Sequence, residues 1–401
     1  MSTWTSWTTP GPTQDGRERV GWWFALEPMG SDAVAWSLIR VDDEPPTGPV
    51  AAGIRTDLGP VRLLAESLLP GRDAAEGSDE LWTGPLVNPA AEPWAAVRLG
   101  QALLPAELRT ELLAADLSAV RHTVTVACRG WLAQVPWEAL ALDQLGEVRL
   151  VERARVGAGL SPAVNAGRRL APTPCPGAPA LRVLDPGPRV GDGLKPLYPG
   201  GYPTAWDAEG VVAEGEQLLP DGEPLGIQEF GELLRAPQGW SRLFYFGHAR
   251  AGTADTPAGA ALVFSSATGA ERFSAHAWLG APQTWPSPAR VALIACGSDD
   301  SVHLEQSGLP VAAVNAGAEL LTVTRWTLPA DDASAREMDT TMLALAVDAA
   351  HREDDPLTAI ARWQCERLAA WRAHGRRADS PLLWASLATY VVPAVELEPA
   401  P

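Results

Sequence analysis

Two apolar runs each end on a side chain capable of covalent chemistry. Leu243 to Gly247 leads into His248, and Val291 to Ala295 leads into Cys296. Each run reads as a buried parallel strand, and the reactive residues lie 296 − 248 = 48 positions apart, His first. In open α/β sheets, functional side chains collect in the crevice outside the carboxyl ends of the strands. A thiol and an imidazole brought together there make a nucleophile and its proton carrier. Cys296 would attack a carbonyl carbon, while His248 would hold the thiolate and protonate the departing nitrogen. The backbone N–H groups of Gly247 and Cys296 are the expected donors to the tetrahedral oxyanion.

A blander reading stands beside this one. A Cys inside an apolar run is usually a small core residue, and a single His is as often structural as functional. The polar loops that follow both residues, Gly297 to Ser301 and Arg250 to Thr256, favour the chemical reading. The other histidines carry less. His276 and His303 fall in or near loops, and His122, His351 and His374 sit in charged stretches where solvent contact is expected. No Cys or His cluster has zinc spacing, so no metal is expected. Phosphate-binding and nucleophile-elbow motifs are missing, and Gly157-Ala158-Gly159 lacks the third glycine of a dinucleotide loop. No cofactor is expected.

The elements that must hold the two residues read as α/β. Strands are expected at Thr123–Ala127, Val148–Val156, Leu181–Leu184, Ala261–Phe264 and Glu319–Thr324, besides the two key runs. Helices are expected at Pro105–Ala115, Val211–Leu219, Ile227–Leu234 and Gly308–Gly317. Asp331 or Asp332 can cap a helix running to about Ala350, and Asp354 or Asp355 with Pro356 opens another. On that last helix Leu357, Ile360, Ala361, Leu368 and Trp371 share a face. Alternation of this kind predicts a largely parallel sheet covered on both sides. Residues 1–94 differ: two β segments, Val20–Leu26 and Ala33–Val41, are followed by Pro- and Gly-rich stretches. They read as a small, loop-rich, β-containing extension.

The chain has 401 residues and a formal charge of −18, which argues against nucleic acid or an anionic membrane as partner. Lys195 is its single lysine, and with heavy Ala, Gly and Pro use this reads as GC-rich bacterial coding bias. The near-apolar stretch Pro381 to Val395 is broken by Ser386, Thr389 and Pro393 and is too short to span a bilayer. No secretory leader is recognisable. The four scattered cysteines have no pairing rhythm, so a reducing cytoplasm with free thiols is the expectation.

Around the dyad, further segments carry a family likeness. Caspases also place their His about 50 residues before their Cys. The chain resembles the CHAT domains, caspase-like cysteine peptidases of clan CD. Leu132-Ala-Gln-Val-Pro-Trp-Glu-Ala-Leu140 looks like that family's Leu-Pro-Trp-Glu segment. Leu184-Asp-Pro186 looks like its next strand end, and Ala208 to Glu216 like the helix before the His strand. Downstream, Gly308 to Ala318, Thr324 to Asp332 and Ser380 to Leu387 resemble its Gly-Leu…Ala-Gly-Ala, Leu-Trp…Asp-Asp and Pro…Trp-Ala segments. The resemblance implies a caspase-like three-layer sandwich over 95–397, with 95–175 as its first part and 180–397 carrying the dyad, and leaves 1–94 outside it.

It also implies a regulated cysteine endopeptidase that cuts a few partner proteins in bacterial conflict, phage defence or cell death. A separately encoded protein would act as sensor or activator. The alternative is a catalytically silent CHAT-like scaffold that binds proteins. Ala249 stands where the family has Gly after its His, and Ile294 stands where caspases have Gln. An apolar Ile294 argues against cleavage after Asp. Asp299 and Asp300 could line a pocket for Arg or Lys, or could merely solvate a loop or cap a helix.

Overall fold

The computed structural model describes residues 18–41, 50–68, 79–118, 120–161, 164, 167–186, 197, 217–219, 224–253, 256–266, 269–299, 308–329, 331 and 339–392. Its strands are β1 Glu18–Met29, β2 Ala33–Val41, β3 Ala51–Arg55, β4 Val120–Ala127, β5 Ala154–Ala158, β6 Ala180–Leu184 and β7 Gln217–Leu219. They continue with β8 Arg242–Phe246, β9 Ala249–Arg250, β10 Ala261–Ser266, β11 Gly269–Ser274, β12 Arg290–Ile294, β13 Leu320–Thr324 and β14 Leu387–Val391. Eleven of these described strands form one mostly parallel sheet, ordered β3-β2-β1-β4-β5-β14-β13-β12-β8-β6-β7, and β9 to β11 make a small antiparallel one. The chain is an α/β protein.

The large sheet has two halves of opposite direction. β1, β4, β5 and β14 run parallel to one another. β13, β12, β8, β6 and β7 also run together, but β13 pairs antiparallel with β14. The carboxyl ends of the two halves therefore face opposite edges of the sheet.

Burial follows the pattern that each direction demands. In β1, Val20, Trp22, Phe24 and Leu26 point into the core and alternate with half-exposed or exposed residues, as a strand covered on one side should. They pack with Leu99, Leu108, Leu132 and Trp137. β8 and β12 are buried on both faces and read as apolar runs after a leading Arg, while the equally buried β6 carries Arg182, paired with Asp348 at 3.0 Å. On one face Leu243, Tyr245, Val291 and Leu293 meet Phe230, Trp278 and Leu309 from the helices Ile227–Leu234, Ala275–Gly280 and Leu309–Asn315. On the other, Phe244, Phe246, Ala292 and Ile294 meet Leu343 and Ile360 from the helices Asp339–Ala350 and Pro356–His374. Full burial of one such Phe stabilises the fold by about 1.5–3 kcal/mol.

Residues 18–55 carry three strands and are continuous with the large sheet: β1 pairs in parallel with β4, and Trp22 and Phe24 share a core with Leu99 and Val124. Several expectations need correcting. The expected strand Val148–Val156 begins as a helical turn, Leu150–Arg153, before β5. That turn forms because the Glu152 carboxylate accepts the Arg149 N–H at 2.7 Å. The expected helix Val211–Leu219 is a strand over Gln217–Leu219, where pairing with β6 overrides local propensity; residues 211–216 lie outside the described residues. Of the helix expected near Asp331, the described part is Asp339–Ala350, and the Asp331 carboxylate accepts the N–H of Thr340 and Thr341. Asp332 lies outside the described residues. Asp355 caps the next helix as expected, accepting from Thr358 at 3.0 Å.

Candidate active site

Register brings the reactive residues together. β8 and β12 are adjacent and parallel, with Phe246 opposite Ile294. His248 and Cys296 each lie two residues beyond that pair, so both leave the carboxyl ends of adjacent strands about 4.8 Å apart. β6 flanks β8 on its other side, with Leu184 opposite Phe246. The next residue is Asp185, whose N–H donates to Phe246 O at 2.6 Å. Asp185, His248 and Cys296 thus leave the carboxyl ends of three neighbouring strands.

Asp185 is held in an unusual backbone state. Its φ is +43°, a left-handed conformation that a non-glycine residue adopts only where its surroundings enforce it. One carboxylate oxygen accepts the Leu197 N–H at 2.9 Å, and the other faces His248 Nε2 at 3.7 Å. His248 is 2% exposed.

Glycine at 247 answers a packing demand. A Cβ there would lie 2.7 Å from the Tyr245 ring. The Tyr245 hydroxyl sits 2.8 Å from the carbonyl oxygens of both His248 and Val263 and ties the His loop to β10. The Gly247 N–H donates to Ile294 O at 3.2 Å, extending the ladder between β8 and β12. Gly247 is therefore not the oxyanion donor the sequence suggested, because its hydrogen is already engaged.

Cys296 sits on a turn laced to the end of β13. The N–H groups of Gly297 and Asp299 donate to Trp326 O and Thr324 O at 3.1 and 2.9 Å. Ser298 Oγ accepts the Thr324 N–H at 3.0 Å and donates to Leu293 O at 2.7 Å. Thr324 Oγ1 donates to Ala295 O. Gly297 has φ +62°, which allows the turn to reverse without strain. Cys296 is partly exposed, and its Sγ lies 3.8 Å from Leu328 O.

The expected pocket residues divide differently. Ile294 is fully buried among Phe244, Phe246 and Leu343, so it is a core residue and not a pocket wall. Asp299 is 3% exposed and accepts the Tyr390 hydroxyl, which leaves it no role as a surface site for a cation. Asp300 and His303 lie outside the described residues. His122 and His351 are buried rather than solvated. Burial, with Arg242 and Arg290 nearby, lowers the His351 pKa to about 3. His276 and His374 are exposed.

Sequence reasoning missed three contributors. Asp185 was quoted only within a likeness, although the strand-end rule that picked out His248 and Cys296 applies equally to it. Glu138 and Arg325 lie in two segments quoted for their likeness alone. They form a buried bidentate pair at 2.7 and 2.9 Å. A cavity of about 430 Å³, lined by Trp23, Glu27, Trp36, Cys128 and Arg129 among others, opens at the carboxyl ends of β1 and β4. That is the opposite edge of the sheet from the dyad, and its lining includes no histidine. Among the described residues no three His, Cys, Asp or Glu side chains gather to hold a metal ion. No described helix is long and apolar enough to cross a membrane.

Comparison with known proteins gives little beyond this geometry. No family model and no curated protein matches the chain. Among solved structures, a chain of the Saccharomyces cerevisiae separase–securin complex aligns over 72% of this chain at 12% identity, with a TM-score of 0.40. The aligned part is 16% of that chain, so this protein spans only a small fraction of its length.

Proposed function

We propose that the chain is a caspase-like cysteine endopeptidase with Cys296 as nucleophile, His248 as proton carrier and Asp185 as the residue that positions the imidazole. The observation that carries this reading is the placement of these three side chains at the ends of three adjacent parallel strands. His248 takes the thiol proton and the sulfur attacks the scissile carbonyl carbon. The tetrahedral oxyanion forms beside the Cys296 N–H, which we assign as a donor. Collapse breaks the C–N bond as the imidazolium protonates the leaving amine. Water, deprotonated by His248, then cleaves the thioester and restores the thiol.

The CHAT resemblance supports a bacterial, cytoplasmic setting and a regulated role in conflict, phage defence or cell death. The substrate is a protein, and a separately encoded protein serves as activator. With Asp299 buried against Tyr390, selection of Arg or Lys by that carboxylate is dropped from the proposal. The test is a peptide-library assay on wild type and Cys296→Ala, with neighbouring gene products added. Cleavage by wild type alone supports the reading. Equal cleavage by both proteins would remove Cys296 as the nucleophile, and none by either under every condition would replace the reading with the silent scaffold.

A further inference from the structure

The Glu138–Arg325 pair joins two segments 187 positions apart. Glu138 belongs to the turn Trp137–Ala139, which packs in the core under β1 and β4. Arg325 immediately follows β13, the strand end onto which the Cys296 turn is laced. Both side chains are almost wholly buried. The Arg325 guanidinium also donates to Ala385 O at 2.9 Å and to Leu387 O, and its backbone N–H donates to Ser386 O. Burial works against the Arg325 charge, yet Glu138 and then Asp299 outweigh it and raise its pKa.

Several bonds to the nucleophile turn come from neighbours of Arg325 or involve a carboxylate in its field. Thr324 and Trp326 flank it, and they receive the Gly297 and Asp299 N–H groups. Asp299, three residues past the nucleophile, is fixed by Tyr390 from β14. Taking away Glu138 would leave a buried cation with only Asp299 as counter-charge, and the cheapest relaxation moves the Thr324–Trp326 backbone. That backbone carries Cys296 with it.

We propose that Arg325, held by Glu138 from the other half of the sheet, is a positioning residue for Cys296. The proposal rests on the dyad reading above, and it makes the amino-terminal half a working part of the site. A partner that shifts the Trp137–Ala139 turn would then change the reactivity of the thiol without touching it.

The test reads iodoacetamide alkylation of each cysteine by peptide mass mapping across pH 5 to 9, on the full chain. Cys175 is exposed and serves as internal control. In Glu138→Gln and Arg325→Lys, alkylation of Cys296 at neutral pH should fall about tenfold and its midpoint should move to higher pH, as thiolate-controlled reactivity requires. Cys175 should be unchanged. Tyr390→Phe, which frees Asp299 while leaving the pair intact, should give a smaller change of the same sign and covers the case in which the pair variants do not fold. Identical Cys296 profiles in folded variants and wild type would overturn the proposal. A His248→Ala arm separates the two readings. If its Cys296 profile matches wild type, the dyad reading fails, whatever the Glu138 result.

Discussion

Each half of the sheet ends a parallel strand near a cysteine, and the two cysteines sit in different surroundings. Cys128 follows β4 and Cys296 follows β12 at the same kind of crevice. By register Cys128 has Leu26 on one side and Leu160 on the other, since Ala25 pairs with Ala127 and Val126 with Ala158. Burial pushes its thiol up to about 12, with Arg325 only partly opposing. The larger cavity lies beside this cysteine. Cys296 is partly exposed and follows the strand adjacent to the one that ends at His248, whose Nε2 faces Asp185 at 3.7 Å. A strand end supplies a place for chemistry; the neighbouring strand decides whether chemistry follows.

The largest expected effect breaks that comparison directly. Cys296→Ala should abolish peptide cleavage, while Cys128→Ala should leave kcat/KM within about twofold, since a thiol held near 12 is not a nucleophile at neutral pH. Loss of activity in Cys128→Ala with the fold intact would show that the two halves are not so different. Next comes Asp185→Asn. It should lower kcat by about 10–100-fold with little change in KM, because an amide no longer favours the imidazolium. A pH–rate profile that did not move would mean that Asp185 merely shapes the loop.

Much of the carboxyl-terminal half was legible because it is built on buried parallel strands, whose apolar runs announce themselves. Leu243 to Phe246 and Val291 to Ile294 fall where expected, and the residues after them are those that register aligns. The amino-terminal half was harder. Its strands alternate, its connections are rich in Pro and Gly, and only tertiary pairing reveals that β1 lies beside β4, some hundred residues away. The site's supporting groups were invisible for another reason. Ile294 and Asp299 look like wall residues from their places near Cys296, but Ile294 packs among Phe244, Phe246 and Leu343 and Asp299 is buried against Tyr390. Gly247 looked like a backbone donor until its N–H was found on Ile294 O. Sequence proximity to a nucleophile does not say which way a group points.

Two smaller effects sharpen the contrast between the halves as solids. His351 is buried on the carboxyl-terminal half against Thr322, with Nε2 2.8 Å from its hydroxyl. Its folded pKa, about 3, lies below the ordinary 6.5. The unfolded chain therefore takes up a proton first, so stability is complete above pH 6.5 and falls as pH drops from there toward 3. At about 1.4 kcal/mol per pH unit the loss between pH 7 and 5 is about 2 kcal/mol, readable as a lowered urea midpoint. His351→Asn should flatten that slope; an unchanged slope would place the acid sensitivity elsewhere. The smallest effect belongs to the exposed Arg129–Glu27 pair of the other half. Arg129→Ala should change stability by less than about 1 kcal/mol, because water and salt screen such pairs. A larger loss would mean that the cavity wall is load-sharing with the core.

The central claim is that Cys296 is a thiol activated by His248. A peptidyl chloromethyl ketone offered in slight excess reads this directly, with adducts located by peptide mass mapping. The account predicts a single thioether at Cys296, formed ahead of the exposed Cys175 and lost in His248→Ala. Labelling that begins at Cys175, or that reaches Cys296 equally fast without His248, would contradict it.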